Sequence, residues 1–515
     1  MNYNQSTCRE RLSALFRKDQ LIFEGPDLSE VLENSYGIER QITGVVYPQS
    51  TKEVQDLVRL ASELSLPLYP ISRGMNQGYG DRLPVEDGQL IVDLQRMQAI
   101  RRYNPDGGIV TLEPGVTQKQ LFDFLRSKQA PFWMDATGAG SASSIIGNTL
   151  EGGFGHTPLG NRRRQILDLE VVLGDGTLLN TGIFPSCGPN LSGLFVQSNF
   201  GIITAMSMSL MPVPSAFASY VIRVGESQQL GRLIEALGKL KQRGLIRSVP
   251  HVGNAVRTLM TTMDFATTWN SSEILTNEAA VKILSRPLLK VGPWNALGAL
   301  YGSRAEVAES RACLRRAVRR MGNIDFFNDL KIGAILGLAA IPGLASVGLV
   351  KAVRRNAVAL KELHLLMQGV PCNMPTDKIH WRVNRSQDLG LFWVAPTMTP
   401  AAEEIERLLS ITSPLFKKHG FEMPITISLI EPFRAIGVFS IGFNKNIPAE
   451  KERARALYHE LWEAVNNNGF EPYRCGVQSM SKIRYAPERA HALELIKAAL
   501  DPAGIISPGR YGIKK

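Results

Sequence analysis

Two glycine-dense stretches carry the residue types best suited to hold a large anionic ligand. The first, PISRGMNQGYGD from Pro70 to Asp81, follows a short extended run and offers consecutive backbone N–H groups, with glycine where positive φ or close approach is required. Such a nest binds phosphate. It has neither the Lys-Ser/Thr ending of a P-loop nor the GxGxxG spacing of a dinucleotide fingerprint. The second stretch, DATGAGSASSIIGNTLEGGFGHTPLGN from Asp135 to Asn161, is long enough that ordering it is entropically expensive unless a ligand holds it. Either loop alone reads also as a surface turn. Two of them, each after a strand, point to one phosphorylated cofactor lying along both. The five cysteines (Cys8, Cys187, Cys313, Cys372, Cys475) have no CxxC spacing, which excludes zinc-ribbon, ferredoxin and thioredoxin chemistry and a disulfide framework. No metal site is expected.

The elements that must position these loops are legible in part. Gly44 to Ser72 reads as strand, helix and strand, the helix opened by Ser50 with Glu53 three residues on. Further strands are expected at Gln89 to Leu94, Gly107 to Gly115 and Leu167 to Gly182, the last folded into a hairpin at Asp175-Gly176. From about Ser215 longer helical patterns take over: Gln228 to Arg243, Ser303 to Met321 and Ala401 to His419. At 515 residues, with 44% hydrophobic and 20% charged residues, two or three globular domains are expected.

At this point the sequence resembles a known family. The two loops, GVVYPQSTKEVQDLV (Gly44 to Val58), EPGVT (Glu113 to Thr117) and FVQSNFGIIT (Phe195 to Thr204) are similar to the FAD-binding domain of the vanillyl-alcohol oxidase and p-cresol methylhydroxylase flavoproteins. The tail DPAGIISPGRYGI (Asp501 to Ile513) matches the same family. So do PWNALGALYG (Pro293 to Gly302), MQGVP (Met367 to Pro371), GFNK (Gly442 to Lys445) and PYRCGVQSM (Pro472 to Met480), which resemble its cap domain. The resemblance covers nearly the whole chain. It implies an α+β fold: a two-subdomain FAD-binding PCMH-type domain of residues 1–214 completed by 470–515, and an α/β cap of residues 215–469 with an antiparallel sheet covered by helices.

The resemblance also assigns roles. FAD would lie against Ser72, Arg73, Gly74, Met75, Asn76, Gln77 and Gly78 with its diphosphate, and against Gly138, Gly140, Ser141, Ser144, Gly147 and Asn148 with its ring. Gly201 and Ile203 would meet the adenine end, and Arg510 would add a cation. Tyr79, Tyr473 and Arg474 match positions that surround the phenolic oxygen of the substrate, and His156 stands where relatives more often carry a tyrosine. Two phenol donors and a guanidinium would stabilise a phenolate, whose electron density eases loss of a benzylic hydride. The implied activity is FAD-dependent hydride abstraction from a 4-substituted phenol or similar small aromatic, with oxygen, a cytochrome or a quinone as electron acceptor. A homo-oligomer and no nucleic-acid partner are expected.

Three departures from the family pattern qualify that expectation. No carboxylate lies between Asp135 and Glu151, where relatives place an acid near the flavin. Aligning on GFNK puts Gly437, preceded by Ile436, at the place of an attaching histidine, and neither loop supplies a histidine or cysteine at an attachment point. Dissociable FAD is therefore predicted, with a lower reduction potential than a covalent relative. The missing acid also suits two alternatives: a tailoring enzyme of secondary metabolism acting on a non-phenolic anion, or a membrane-binding protein that has lost catalysis. Glu431 and Arg434 are candidates to face the substrate ring.

Charge adds one further expectation. The chain carries 58 Lys and Arg against 47 Asp and Glu, a net +11, and the window from Ser310 to Lys361 holds ten of the bases and only two of the acids. Within this insertion (303–361) a basic helix opened by Ser303 and Glu306 precedes IGAILGLAAIPGLASVGLV, Ile332 to Val350, nineteen uncharged residues flanked by cations. That run reads as a buried hairpin or as an interfacial element on an anionic membrane. The N-terminus has no apolar core of signal-peptide length, so a cytoplasmic protein with peripheral membrane contact is the expected location.

Overall fold

A computed structural model describes residues 5–513 apart from 184–186, 264–267, 270, 272, 286–290, 339–347, 374–382 and 384–387. Three sheets organise it. The first has β1 (Leu21–Ile22), β2 (Gly44–Val46), β3 (Leu68–Ile71) and β4 (Leu90–Asp93) in the order β1-β2-β4-β3. Strands β2 and β3 run parallel to the β4 between them, and the helix Thr51–Leu64 makes the crossover, as the strand-helix-strand reading requires. Ser50 caps that helix by accepting from the Glu53 amide at 3.2 Å, but the Glu53 carboxylate turns away to Gln49 N and the Gln20 side chain. It is a simple cap, not a reciprocal box.

The second sheet is antiparallel. It contains β5 (Ile100–Asn104), β6 (Ile109–Leu112), β8 (Ile166–Val172), β9 (Leu178–Asn180) and β10 (Ile202–Ser209), in the order β5-β6-β10-β8-β9. The Asp175-Gly176 turn closes the β8–β9 hairpin with Gly176 at φ +80°. A short pair, β7 (Phe132–Trp133) with β11 (Met211–Pro212), lies beside it.

The third sheet is the largest. Strands β12 (Ala216–Val224), β13 (His251–Asn254), β14 (Trp294–Gly302), β15 (Gly322–Phe327), β16 (Leu389–Val394), β18 (Ile425–Glu431) and β19 (Arg434–Asn444) follow the order β15-β12-β14-β13-β18-β19-β16, all antiparallel, and β17 (Thr397–Met398) pairs with β19. Helices Leu230–Gln242, Arg304–Val318, Ala402–Lys418 and Pro448–Asn467 are amphipathic and pack together and onto this sheet. Mixed helices with antiparallel sheets are the architecture the resemblance implies. The segment ISLIEPFRAIGVFSIGF, which carries Glu431 and Arg434, is the β18–β19 hairpin turning at Pro432-Phe433.

Ser303 and Glu306 form the reciprocal capping box of the basic helix, and Val307, Leu314 and Val318 are buried beneath it. Arg311 and Arg315 fold back over the Phe326 ring, at 5.4 and 5.0 Å from its centroid. Two of the helix's four arginines therefore serve local packing. Much of the apolar run Ile332 to Val350 lies outside the described residues; the helix Asp329–Leu338 enters it. Among the described residues no helix is long and apolar enough to cross a membrane.

Candidate functional site

The first glycine loop leaves the end of β3 and is held by neighbours that make room for it. Gly78, at φ +76°, donates its amide to Ser35 Oγ at 2.9 Å and lies under the Trp393 indole, which a methyl group there would meet at 2.2 Å. Gly74, at φ +66°, is covered by the Arg82 side chain. Tyr79 N and Asp81 N close the loop onto Asn76 O at 2.9 and 3.1 Å. Among the described residues, the amides of Gly74 to Gln77 donate to no acceptor in the chain. Arg73 sends Nη1 to Gly115 O at 3.2 Å, while its buried Nε has no partner.

The second loop is ordered by the protein itself. Asp135 and Arg162 form a fully buried ion pair, Nε to Oδ2 at 3.1 Å, and Asp135 Oδ1 also accepts from Thr157 N and Oγ1 at 3.1 and 2.6 Å. Arg162 reaches Asn148 Oδ1 and Gln118 Oε1, both at 3.3 Å. Gly155 and Gly153 exist because Asp135 and Asn148 occupy the space a Cβ would need. The expectation that a ligand must order this loop is thus corrected: a buried charge pair with its lone pairs satisfied does so. Within the loop, Ser144 caps the short helix Ile145–Leu150 by accepting from Gly147 N at 3.0 Å. A Cβ on Gly147 would come within 2.9 Å of Ser72 Oγ, so the two loops touch.

Where they meet, a cavity of about 860 Å³ opens, walled by both loops, the C-terminal tail and the third sheet. Ser72, Arg73, Gly74, Met75, Asn76, Gln77, Tyr79, Gly138, Gly140, Ser144, Gly147, Asn148, His156, Gly201, Ile203, Tyr473, Arg474 and Arg510 all line it. Gly78 and Ser141 do not. Gly78 is covered by Trp393, and Ser141 gives both its amide and its hydroxyl to Asn373 Oδ1 at 2.8 Å. Glu431 and Arg434 are also outside: Glu431 accepts from Asn161 Nδ2 at 2.7 Å and pairs with Arg164 at 3.2 Å, and Arg434 is exposed.

At one end of the cavity the Arg474 guanidinium lies 4.5 Å from the Tyr79 ring centroid and donates from Nη2 to Asn76 Oδ1 at 2.6 Å. Glu151 stands between two arginines: 3.7 Å from Arg474 Nε, and hydrogen-bonded to Arg510 Nη2 and to the Tyr511 hydroxyl. Burial would raise the Glu151 carboxyl, but Arg510, Arg474 and the Tyr511 hydroxyl together hold it below its ordinary value. Two guanidiniums against one carboxylate leave one positive charge uncompensated. Burial pushes the Tyr79 hydroxyl far up and that of Tyr473 up to about 12, so both are donors at neutral pH. Tyr473 donates to Gly152 O, and its own amide is fixed to Ala395 O at 2.8 Å.

From Tyr473 a row of rings crosses the cavity: Phe154 at 5.5 Å, then His251 at 6.0 Å, with His156 at 4.5 Å from His251. His251 is placed by β13, whose register opposite Ser428 of β18 gives a 2.8 Å hydrogen bond between Nδ1 and the serine hydroxyl. Burial depresses both imidazoles below their ordinary value, and His156 lowers His251 further. Arg257, in the first turn of the helix Ala255–Thr262, reaches the same cavity. Glu151, His251, Arg257 and Trp393 were not among the residues expected at the site. Glu151 sits inside a quoted motif, yet its role depends on the tail; the other three come from the third sheet and its connections, where local pattern carries no site signal.

The orphaned amides of the first loop and the buried, unpartnered Nε atoms of Arg73 and Arg510 fit a diphosphate. Comparisons with known proteins give the same group. Residues 42–182 match a family model described as an FAD binding domain. The chain is 30% identical over 507 residues to 1'-carboxy-chondrochloren decarboxylase of Chondromyces crocatus, covering 93% of this chain and 92% of that one. It is 24% identical to the 4-cresol dehydrogenase [hydroxylating] flavoprotein subunit of Pseudomonas putida, covering 98% and 95%. The fold superposes on 4-ethylphenol oxidase from Gulosibacter chungangensis, solved as an isoeugenol complex, with TM-score 0.88, 25% identity and coverage of 99% and 97%.

Proposed function

The chain belongs to the vanillyl-alcohol oxidase and p-cresol methylhydroxylase family of FAD-dependent oxidoreductases, and from that premise we propose that it oxidises a 4-substituted phenol. Ser72 to Gln77, Gly138, Gly140, Ser144, Gly147, Asn148 and Arg510 would hold FAD, which would supply the two-electron acceptor. Residues 1–214 with 470–515 are the FAD-binding part in this reading, and residues 215–469 the cap over the substrate.

The observation that carries the proposal is the buried Arg474 guanidinium, stacked on Tyr79, with its Nε lacking a hydrogen-bond acceptor. An arriving phenolate takes up the one positive charge that Glu151 leaves over, and Tyr79 supplies a neutral donor beside it. Tyr473 exchanges its bond to Gly152 O for one to the substrate. Phe154 and Trp393 exclude water and hold the ring between them. The imidazole of His156, whose Nδ1 lies 3.4 Å from Ala136 O and whose pKa burial lowers, is a neutral base available in the cavity wall.

FAD is held without a covalent link in this reading. In β19, pairing with β18 and β17 turns Gly437 toward Leu408 of the helix Ala402–Lys418 and Met398 of β17, while its neighbour Val438 lines the cavity. The strand therefore presents an alkyl side chain to the cofactor.

Anaerobic titration with 4-alkylphenols tests the activity: bleaching of the flavin band supports it, and an unbleached, fully loaded protein removes it. A second reading, an anionic substrate without a phenol, draws support from the relative whose name specifies a carboxy compound and its decarboxylation. Bleaching by carboxylates but by no phenol selects it.

A further inference from the structure

Arg257 has no job in the chemistry described so far. It lines the cavity from the helix Ala255–Thr262, where its amide donates to the Asn254 cap at 2.9 Å and its side chain is half-buried. Among the described residues its guanidinium makes no ion pair and donates no hydrogen bond, so a permanently charged group with five N–H donors faces the cavity unanswered. Burial pulls its pKa down to about 10, and among the described residues no acid offsets the loss of hydration.

Its surroundings are short of acceptors as well. His251 Nε2 is buried without a partner, and Nδ1 is already bound to Ser428. Lys241, close enough to depress His251 further, is itself lowered to about 8 by burial and spends its ammonium on Ser248 O at 2.7 Å. The carboxylate that acts on Lys241, Glu431, is engaged by Asn161 and Arg164. A buried cationic region without its own anion is costly unless a ligand supplies one.

We infer that Arg257 and His251 form an anion subsite at the cap end of the cavity, for a carboxylate carried on the substrate at the end remote from the group that Arg474 holds. Arg474 acts on Tyr473 and Arg257 on His251, and Phe154 touches both of those rings, so the aromatic body of the substrate spans the two guanidiniums. The subsite rests on the proposed function only for the phenolic end; the carboxylate end stands on Arg257 alone. It narrows the substrate class to phenols whose para substituent ends in a carboxylate.

The test is calorimetric titration of the anaerobic holoenzyme with 3-(4-hydroxyphenyl)propionate and 4-propylphenol, which differ chiefly in the charge. Wild type is expected to favour the carboxylate by roughly 10- to 100-fold, the range for charge-assisted hydrogen bonds. Arg257→Gln should bring the ratio to about 1, Arg257→Lys should keep part of it, and Arg164→Gln, an exposed arginine outside the cavity, should leave it unchanged. Equal affinities in wild type, or a preference that survives in Arg257→Gln protein with normal FAD content, overturn the subsite. Arg257-dependent binding of 3-phenylpropionate without binding of either phenol supports the subsite and removes the phenol reading, so the two fail separately.

Discussion

Glu151 shows how much a single side chain decides here. Buried between Arg474 and Arg510 and accepting from Tyr511, it cancels one of two charges that would otherwise both face the cavity. Replacing Arg474 by Leu leaves Glu151 satisfied by Arg510 and Tyr511, so FAD content should persist while kcat/KM for 4-alkylphenols falls by roughly 100-fold or more, the scale of losing one charged donor. Steady-state kinetics with the flavin absorbance of the same sample checks both halves; unchanged kinetics would remove the oxyanion role. The two histidines carry a pH signature. Burial depresses both His156 and His251 below the ordinary 6.5, so the unfolded chain binds these protons at higher pH than the folded one. Their contribution to stability is complete above about pH 6.5 and is lost as pH falls toward the folded values. Thermal denaturation from about pH 7.5 to about pH 5 should show a declining midpoint, with a shallower decline in His251→Gln.

At the scale of elements, the first glycine loop is fixed as much by the third sheet as by its own turns. Gly78 needs φ +76° and lies against the Trp393 ring, and the indole Nε1 donates to Gln77 O at 3.1 Å. Gly78→Ala should cost about 1–2 kcal/mol in backbone strain alone and push Trp393 off that bond. The expected result is a lower thermal midpoint together with lower FAD occupancy, measured on the same preparation. Ser303→Ala is the contrast. Loss of the capping box on the basic helix should cost about 1 kcal/mol with FAD content unchanged, because no residue of that helix lines the cavity. Calorimetric scans of the two variants separate a site loop from a scaffold helix.

For the whole molecule, the cavity lies where the three sheets and the tail converge, and the second and third sheets share one hydrophobic core behind it. The tail takes a structural place: Ser507 N donates to Leu68 O at 2.7 Å, Lys497 is buried against Asp501 at 2.6 Å, and Arg510 points into the site. If Val438 is the group the strand presents to the cofactor, acid precipitation should leave the yellow colour in the supernatant. A coloured pellet would mean that another residue forms a covalent link.

The strand-helix-strand opening, the Asp175-Gly176 hairpin, the capped basic helix and the two glycine loops were all legible in the sequence. Each is set by interactions within a few residues: alternation, a cap, a turn that requires positive φ. Most of the lining falls within the motifs that carry the family resemblance, which is what assigned those residues to the site. Tertiary structure alone decided that Asp135 and Arg162 order the second loop, that Glu151 meets Arg510 across 359 positions, and that Gly437 turns from the cavity. Those outcomes depend on strand register and on charges brought together from distant segments. A shift of one residue in β19 would exchange Gly437 for Val438 at the cavity wall, and no local pattern specifies that choice.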